Sequence, residues 1–237
     1  MLLFILLIQI RNDMFMKTKI LIAAFAASIF LNVYQYFSDE RSSKSEPERP
    51  SDMRIFQNTM LFFKDINARQ GDGDYIFFGD SLVQGMSPYA LGIKYVNMGV
   101  GGYTVNWINA LLEKTDISKY KAVIIEGGVN DALGGKGFEE TRKGFEKYFK
   151  NASAAEKFYF VQTIPTVEKM HKGGNKLIDE LNVYTTKLCS EYRNCKLISA
   201  PNELKKENNQ EYYLPDGIHL TDKGYDVWTK QIKSHIN

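Results

Sequence analysis

Short apolar runs alternate along this chain with stretches whose apolar residues return every three or four positions. The runs 75–78, 95–98, 122–126, 158–162 and 195–198 are continuous enough to read as strands buried on both faces. The helical spacing appears as Met53, Phe56, Met60 and Phe63, then Val105, Ile108 and Leu112, then Phe138, Phe145 and Phe149. Leu177, Leu181, Tyr184 and Leu188 form a longer stripe, and Tyr225, Trp228, Ile232 and Ile236 a last one, with Thr221 placed as its N-cap. Each stripe predicts a helix that turns that face to a core. Strands alternating with helices imply a parallel sheet covered on both sides. With right-handed crossovers the result is a three-layer α/β/α, doubly wound domain of about five strands. Ligands bind such sheets beyond the carboxyl ends of the strands.

The first fifty residues break this pattern. Residues 20–37 carry no charge, with Lys17 and Lys19 just ahead. As a helix rising ~1.5 Å per residue the segment spans ~27 Å, close to a bilayer's hydrocarbon thickness. An uncleaved signal anchor is favoured over a cleaved signal peptide, because cutting after Ala24-Phe25-Ala26 leaves a greasy mature start. Met14 or Met16 would each give a compact basic start. Lysines and arginines tie across the segment (Arg11, Lys17 and Lys19 against Arg41, Lys44 and Arg49), so charge alone does not orient it. A short basic tail still fits a domain outside the cytoplasm, at the membrane or secreted. Residues 39–50, DERSSKSEPERP, read as a polar linker. The expected organisation is therefore an N-terminal tail and anchor over 1–38, a linker over 39–50 and a folded domain over 51–237.

Composition narrows the partners. A formal charge of +2 over 237 residues, with acids and bases interspersed, offers no basic stripe for nucleic acid. The two cysteines, Cys189 and Cys195, rule out a disulfide scaffold and a cysteine metal cluster. They would pair in an oxidising compartment; ordinary thiols are the reading unless the domain is exported.

The residues with chemical potential lie just past the expected strands. Gly79-Asp80-Ser81-Leu82 follows the first, where Ser81 would enter a helix's first turn with its N–H turned into the cleft. Asp80 or Ser81 could equally be a plain helix cap. Asn97-Met98-Gly99-Val100-Gly101-Gly102 follows the second strand, and Gly128-Val129-Asn130-Asp131 the third. Glycines allow close backbone approach, and Asn130 can offer an amide donor to an oxyanion, or make an Asx turn. Asp216 and His219 stand three apart before the final helix, where a turn can fold the carboxylate onto the ring. His171 sits in a polar loop and His235 at the C-terminus, and no metal-ligand spacing occurs.

Four ordered blocks of this kind resemble the SGNH (GDSL) hydrolase superfamily over roughly residues 75–228. The resemblance implies a lidless flavodoxin-like fold and a serine esterase needing no cofactor. It implies Ser81 as nucleophile, His219 as general base oriented by Asp216, and an oxyanion hole of the Ser81 and Gly102 amides with the Asn130 side chain. Tyr103 departs from the family, where a small or acidic residue is common. The expected substrates are small acyl esters: O-acetylated glycans, lysophospholipids or other lipid esters. Transfer to a sugar hydroxyl is the alternative with the same residues. A non-catalytic membrane-tethered binding domain is a second, and a flavodoxin-like phosphate binder a third, although no P-loop or dinucleotide fingerprint is present.

Overall fold

The computed structural model describes residue 28 and residues 52–71 and 75–236. The expected anchor and linker lie outside the described residues. Residues from Asp52 onward form one compact unit. Among the described residues no helix is long and apolar enough to cross a membrane.

Helix α1 (Asp52–Gln70) leads into β1 (Tyr75–Phe78), the short α2 (Ser81–Gln84) and β2 (Tyr95–Asn97). Then come α3 (Val105–Glu113), β3 (Ala122–Ile125), α4 (Val129–Leu133) and α5 (Phe138–Ala152). The chain closes with β4 (Phe158–Val161), α6 (Gly174–Glu191), β5 (Cys195–Ile198), a 3-10 turn at Gln210–Tyr212 and α7 (Asp222–Ile236). All neighbouring strand pairs are parallel, in the order β2-β1-β3-β4-β5, the expected flavodoxin-like arrangement.

Because side chains alternate across a strand, each apolar run feeds two cores. Ile76, Phe78, Val123, Ile125, Phe158 and Phe160 pack under α1, α3, α5 and α6. Phe77, Ile124, Tyr159 and Val161 meet Leu82 and Val83 of α2 and Trp228 and Ile232 of α7 on the other face. Thr221 stands just ahead of α7, and its Oγ1 accepts the Gly224 N–H at 3.3 Å, as an N-cap does.

The register of α1 corrects one expectation. Phe56 and Phe63 are exposed, while Met60, Leu61 and Ala68 face the core. Lys64 is buried on the same side: its ammonium donates to the Asn97 backbone oxygen at 2.8 Å and to Asn97 Oδ1 at 3.1 Å. Apolar residues stand on more than one face of this helix, so its pattern carries little phase information. The pairing left open for the cysteines is made: Cys189 at the end of α6 and Cys195 at the start of β5 form a disulfide.

Candidate active site

The sheet ladder does not stop where the strands do. Met98 N–H donates to Phe77 O, Val100 N–H to Gly79 O and Glu126 N–H to Phe78 O, at 2.8, 3.1 and 3.0 Å. These bonds clamp the segments after β1, β2 and β3 side by side at the switch point of the strand order, where a doubly wound sheet opens a crevice. The three blocks read from the sequence are brought together here.

Asp80 is the N-cap of α2, its Oδ1 accepting the Leu82 N–H at 2.9 Å, so the capping role weighed for it is real. Ser81 is the first helical residue, and its N–H has no partner among the described residues. Tyr225 of α7 fixes this short helix from below, its hydroxyl donating to Leu82 O at 2.9 Å. Gln84, one turn after Ser81, accepts the Gly101 N–H on Oε1 at 2.5 Å. That bond occupies Gly101 and leaves the Gly102 N–H unpartnered among the described residues. Gly102 has φ of 76°, in the left-handed region that suits glycine. Asn130 lies in α4, and its Nδ2 donates to Tyr103 O at 2.9 Å, leaving the second amide hydrogen for another acceptor. Asp131 Oδ2 accepts the Val105 N–H at 2.9 Å, tying the third block to the first residue of α3. The Tyr103 side chain is buried and stacks toward Trp107 with ring centroids 6.1 Å apart, so the family departure points into the core.

Asp216 and His219 arrive on a tight loop closed by an antiparallel bridge between Tyr213 and Leu220. Leu214 N–H donates to His219 O at 2.7 Å and Gly217 N–H to Leu214 O at 2.9 Å. Asp216 Oδ1 accepts the Ile218 and His219 N–H groups at 2.9 and 3.0 Å, and Oδ2 is 2.6 Å from His219 Nδ1. The other ring nitrogen, Nε2, is 2.9 Å from Ser81 Oγ across 138 residues of sequence. Desolvation pushes the Asp216 carboxyl up, but hydrogen bonds from the ring and the two amides outweigh it and hold the carboxyl down at about 2. Asp216 is therefore an anion at neutral pH, facing a ring that can take a proton from a hydroxyl. Both side chains remain open to water, at 45% and 40% exposure.

Sequence reasoning passed over three supports. His171 was set aside as a polar-loop residue, yet its Nε2 lies 2.7 Å from the Asp216 carbonyl oxygen. Gln84, three residues after Ser81, was not singled out, yet it holds the Gly101 N–H. Glu126 looked like the last residue of a strand, although an acid inside an apolar run was a signal in itself.

The family now has independent support. Residues 77–227 match the family model described as GDSL-like Lipase/Acylhydrolase. This chain belongs to that family. It is an ester-hydrolysing enzyme, of a group whose chemistry is hydrolysis or transfer of acyl esters. No curated protein matches the chain. Among solved structures, the lipase/acylhydrolase from Enterococcus faecalis has a TM-score of 0.58 at 20% identity, over 68% of this chain and 94% of that one. The acetylxylan esterase Axe2 from Geobacillus stearothermophilus scores 0.59 at 16% identity, over 70% and 95%. The catalytic domain of Streptococcus pneumoniae peptidoglycan O-acetyltransferase A scores 0.55 at 16% identity, over 70% and 93%. At these identities the three structures share the fold with this GDSL-family chain.

Proposed function

We propose that this GDSL-family enzyme is a serine esterase working through an acyl-enzyme on Ser81. The observation that carries the reading is the line of contacts from Asp216 through His219 to Ser81 Oγ, 2.6 and then 2.9 Å long. His219 Nε2 takes the hydroxyl proton as Oγ attacks the ester carbonyl, and the Asp216 carboxylate holds the tautomer and offsets the imidazolium charge. The tetrahedral oxyanion is met by the Ser81 and Gly102 N–H groups and the second Asn130 amide hydrogen. The ring then gives its proton to the leaving alcohol, and water repeats the sequence on the acyl-enzyme. No step calls for a metal or an organic cofactor.

Small acyl esters are the proposed substrates, O-acetyl groups on glycans first and lysophospholipid or other lipid esters second. The exposure of the dyad supports an open site reached by bulky polymers at the alcohol side. Neighbours named as an acetylxylan esterase and a peptidoglycan O-acetyltransferase support the glycan choice. The same residues would run acyl transfer if a sugar hydroxyl replaced water, and raising the concentration of an acceptor alcohol separates the two outcomes. The disulfide supports a domain outside the reducing cytoplasm, tethered by the apolar segment 20–37.

The test is a panel of acyl esters from acetyl to long-chain, run beside acetylated glycans, with wild type and Ser81→Ala. Turnover should concentrate on short acyl groups and vanish in the variant while its circular dichroism is unchanged. Hydrolysis at the wild-type rate by Ser81→Ala would end the proposal.

A further inference from the structure

Beneath the Ser81 turn sit two buried acids that the mechanism does not use. Glu126 is 1% exposed and Asp80 is wholly buried. They meet through the backbone: the Asp80 N–H donates to Glu126 Oε2 at 3.4 Å. Oε2 is pressed so closely against the turn that a Cβ on Gly79 would stand 2.7 Å from it. Asp80 Oδ1 is used by the Leu82 cap, but Asp80 Oδ2 and Glu126 Oε1 both lack any hydrogen-bond partner.

Two buried carboxylates side by side, each with an orphan oxygen, are costly if both are charged. Among the described residues, no lysine or arginine compensates them. From α5, the Tyr148 hydroxyl donates to the backbone oxygens of Phe78 and Glu126, at 3.3 and 3.4 Å. From α7, Tyr225 is committed to Leu82 O. Asp131 of α4 adds a third buried acid, and the ring of His219 is the one group facing Asp80 that can carry positive charge. A single proton resolves the conflict, because it turns one orphan acceptor into a donor.

We propose that Glu126 is kept as a neutral carboxylic acid and acts as a positioning residue, its carboxyl group seating the Asp80 amide and fixing the turn that carries Ser81. The assignment of the proton to Glu126 follows from the surroundings. Burial, then the Asp80 charge, drives the Glu126 carboxyl well above the ordinary range, with only the one long amide contact opposing. Burial lifts Asp80 less, to about 6, because the Leu82 amide and the His219 ring favour its anion. At neutral pH the pair then carries one negative charge, on Asp80, at the N-terminus of α2 and toward the imidazolium. Ionising Glu126 would place a second anion under the forming oxyanion and push on Asp80, so turnover should fall on the alkaline side.

The catalytic consequence rests on the serine reading, whereas the protonation does not. Difference infrared spectra of the full chain at neutral pH should show the carbonyl stretch of a buried protonated carboxylic acid. The band should persist in Ser81→Ala and Asp131→Asn and disappear in Glu126→Gln. Glu126→Gln reproduces the shape and donor of the neutral acid, so its kcat should stay within about threefold of wild type while the alkaline limb of the pH profile vanishes. Glu126→Ala should lower kcat about tenfold or more at nearly constant KM, since it strands the Asp80 N–H. The absence of the band from wild type overturns the proposal without reference to any variant's folding. So does a band that survives in Glu126→Gln, or a Gln variant as slow as the Ala variant. Full activity in Ser81→Ala would instead remove the serine mechanism and leave the infrared result to be judged on its own.

Discussion

At residue scale the reacting groups were readable because each type has few alternative uses in its setting. His219 stood with Asp216 on the turn before the last helix, and the loop puts Asp216 Oδ2 2.6 Å from its ring. What was not readable is how neighbours are committed. Asn130 was expected to face an oxyanion, and half of its donor capacity is spent holding Tyr103 O. Asn130→Ala should therefore do two things: lower kcat by ~10²–10³, as loss of one oxyanion donor does, and loosen the second block. The measurement is kcat and KM on a short ester, where an unchanged kcat would exclude Asn130 from oxyanion binding. Gly79 is the stricter position. A methyl group there would sit 2.3 Å from Val83 Cγ2 and 2.7 Å from Glu126 Oε2. Gly79→Ala should lower Tm measurably and shift Ser81 out of register with His219, read as slower covalent labelling of the serine.

The elements divide into those whose pattern carried a phase and those whose pattern did not. Strand runs and the stripes of α3, α5 and α7 placed Val105, Phe145, Phe149, Trp228 and Ile232 in the core as expected. Helix α1 failed because Ile55, Phe56, Phe62 and Phe63 offer apolar residues on the side that ends up exposed. Met60, Leu61 and Ala68 face the core instead, on the side where Lys64 is buried against Asn97, 33 residues away. The tie between α3 and α4 has a pH signature. Burial lifts the Asp131 carboxyl to about 6 against the pull of the Val105 amide. A folded-state value above the ordinary one means the native chain binds the proton more tightly, so stability falls as pH rises from about 4 through 6. Asp131→Asn should flatten that part of the Tm-against-pH curve, with the Asp80 contribution remaining. Asp216 has the opposite sign: its depressed value stabilises the fold above about 4 and the benefit is lost as pH falls toward 2. An unaltered curve in the Asn variant would show that Asp131 does not titrate in this range.

For the whole molecule, the parallel sheet covered on both faces was legible from alternation and handedness, and its flavodoxin-like arrangement from the family resemblance. The disulfide was not, since six residues of separation say nothing of whether α6 ends against the start of β5. Closing that short loop should contribute about 2 kcal/mol, so Cys189→Ala with Cys195→Ala should lower Tm while leaving ester turnover intact. Lost turnover at a temperature where the variant is folded would mean that the bridge shapes the site.

The central claim is that one hydroxyl, one ring and one acid from distant parts of the chain act together. Reaction with a fluorophosphonate followed by peptide mass mapping tests it most directly. A single adduct should form on Ser81, be absent in Ser81→Ala and form far more slowly in His219→Ala. No adduct, or labelling of Ser81 at the wild-type rate without the His219 ring, would contradict it.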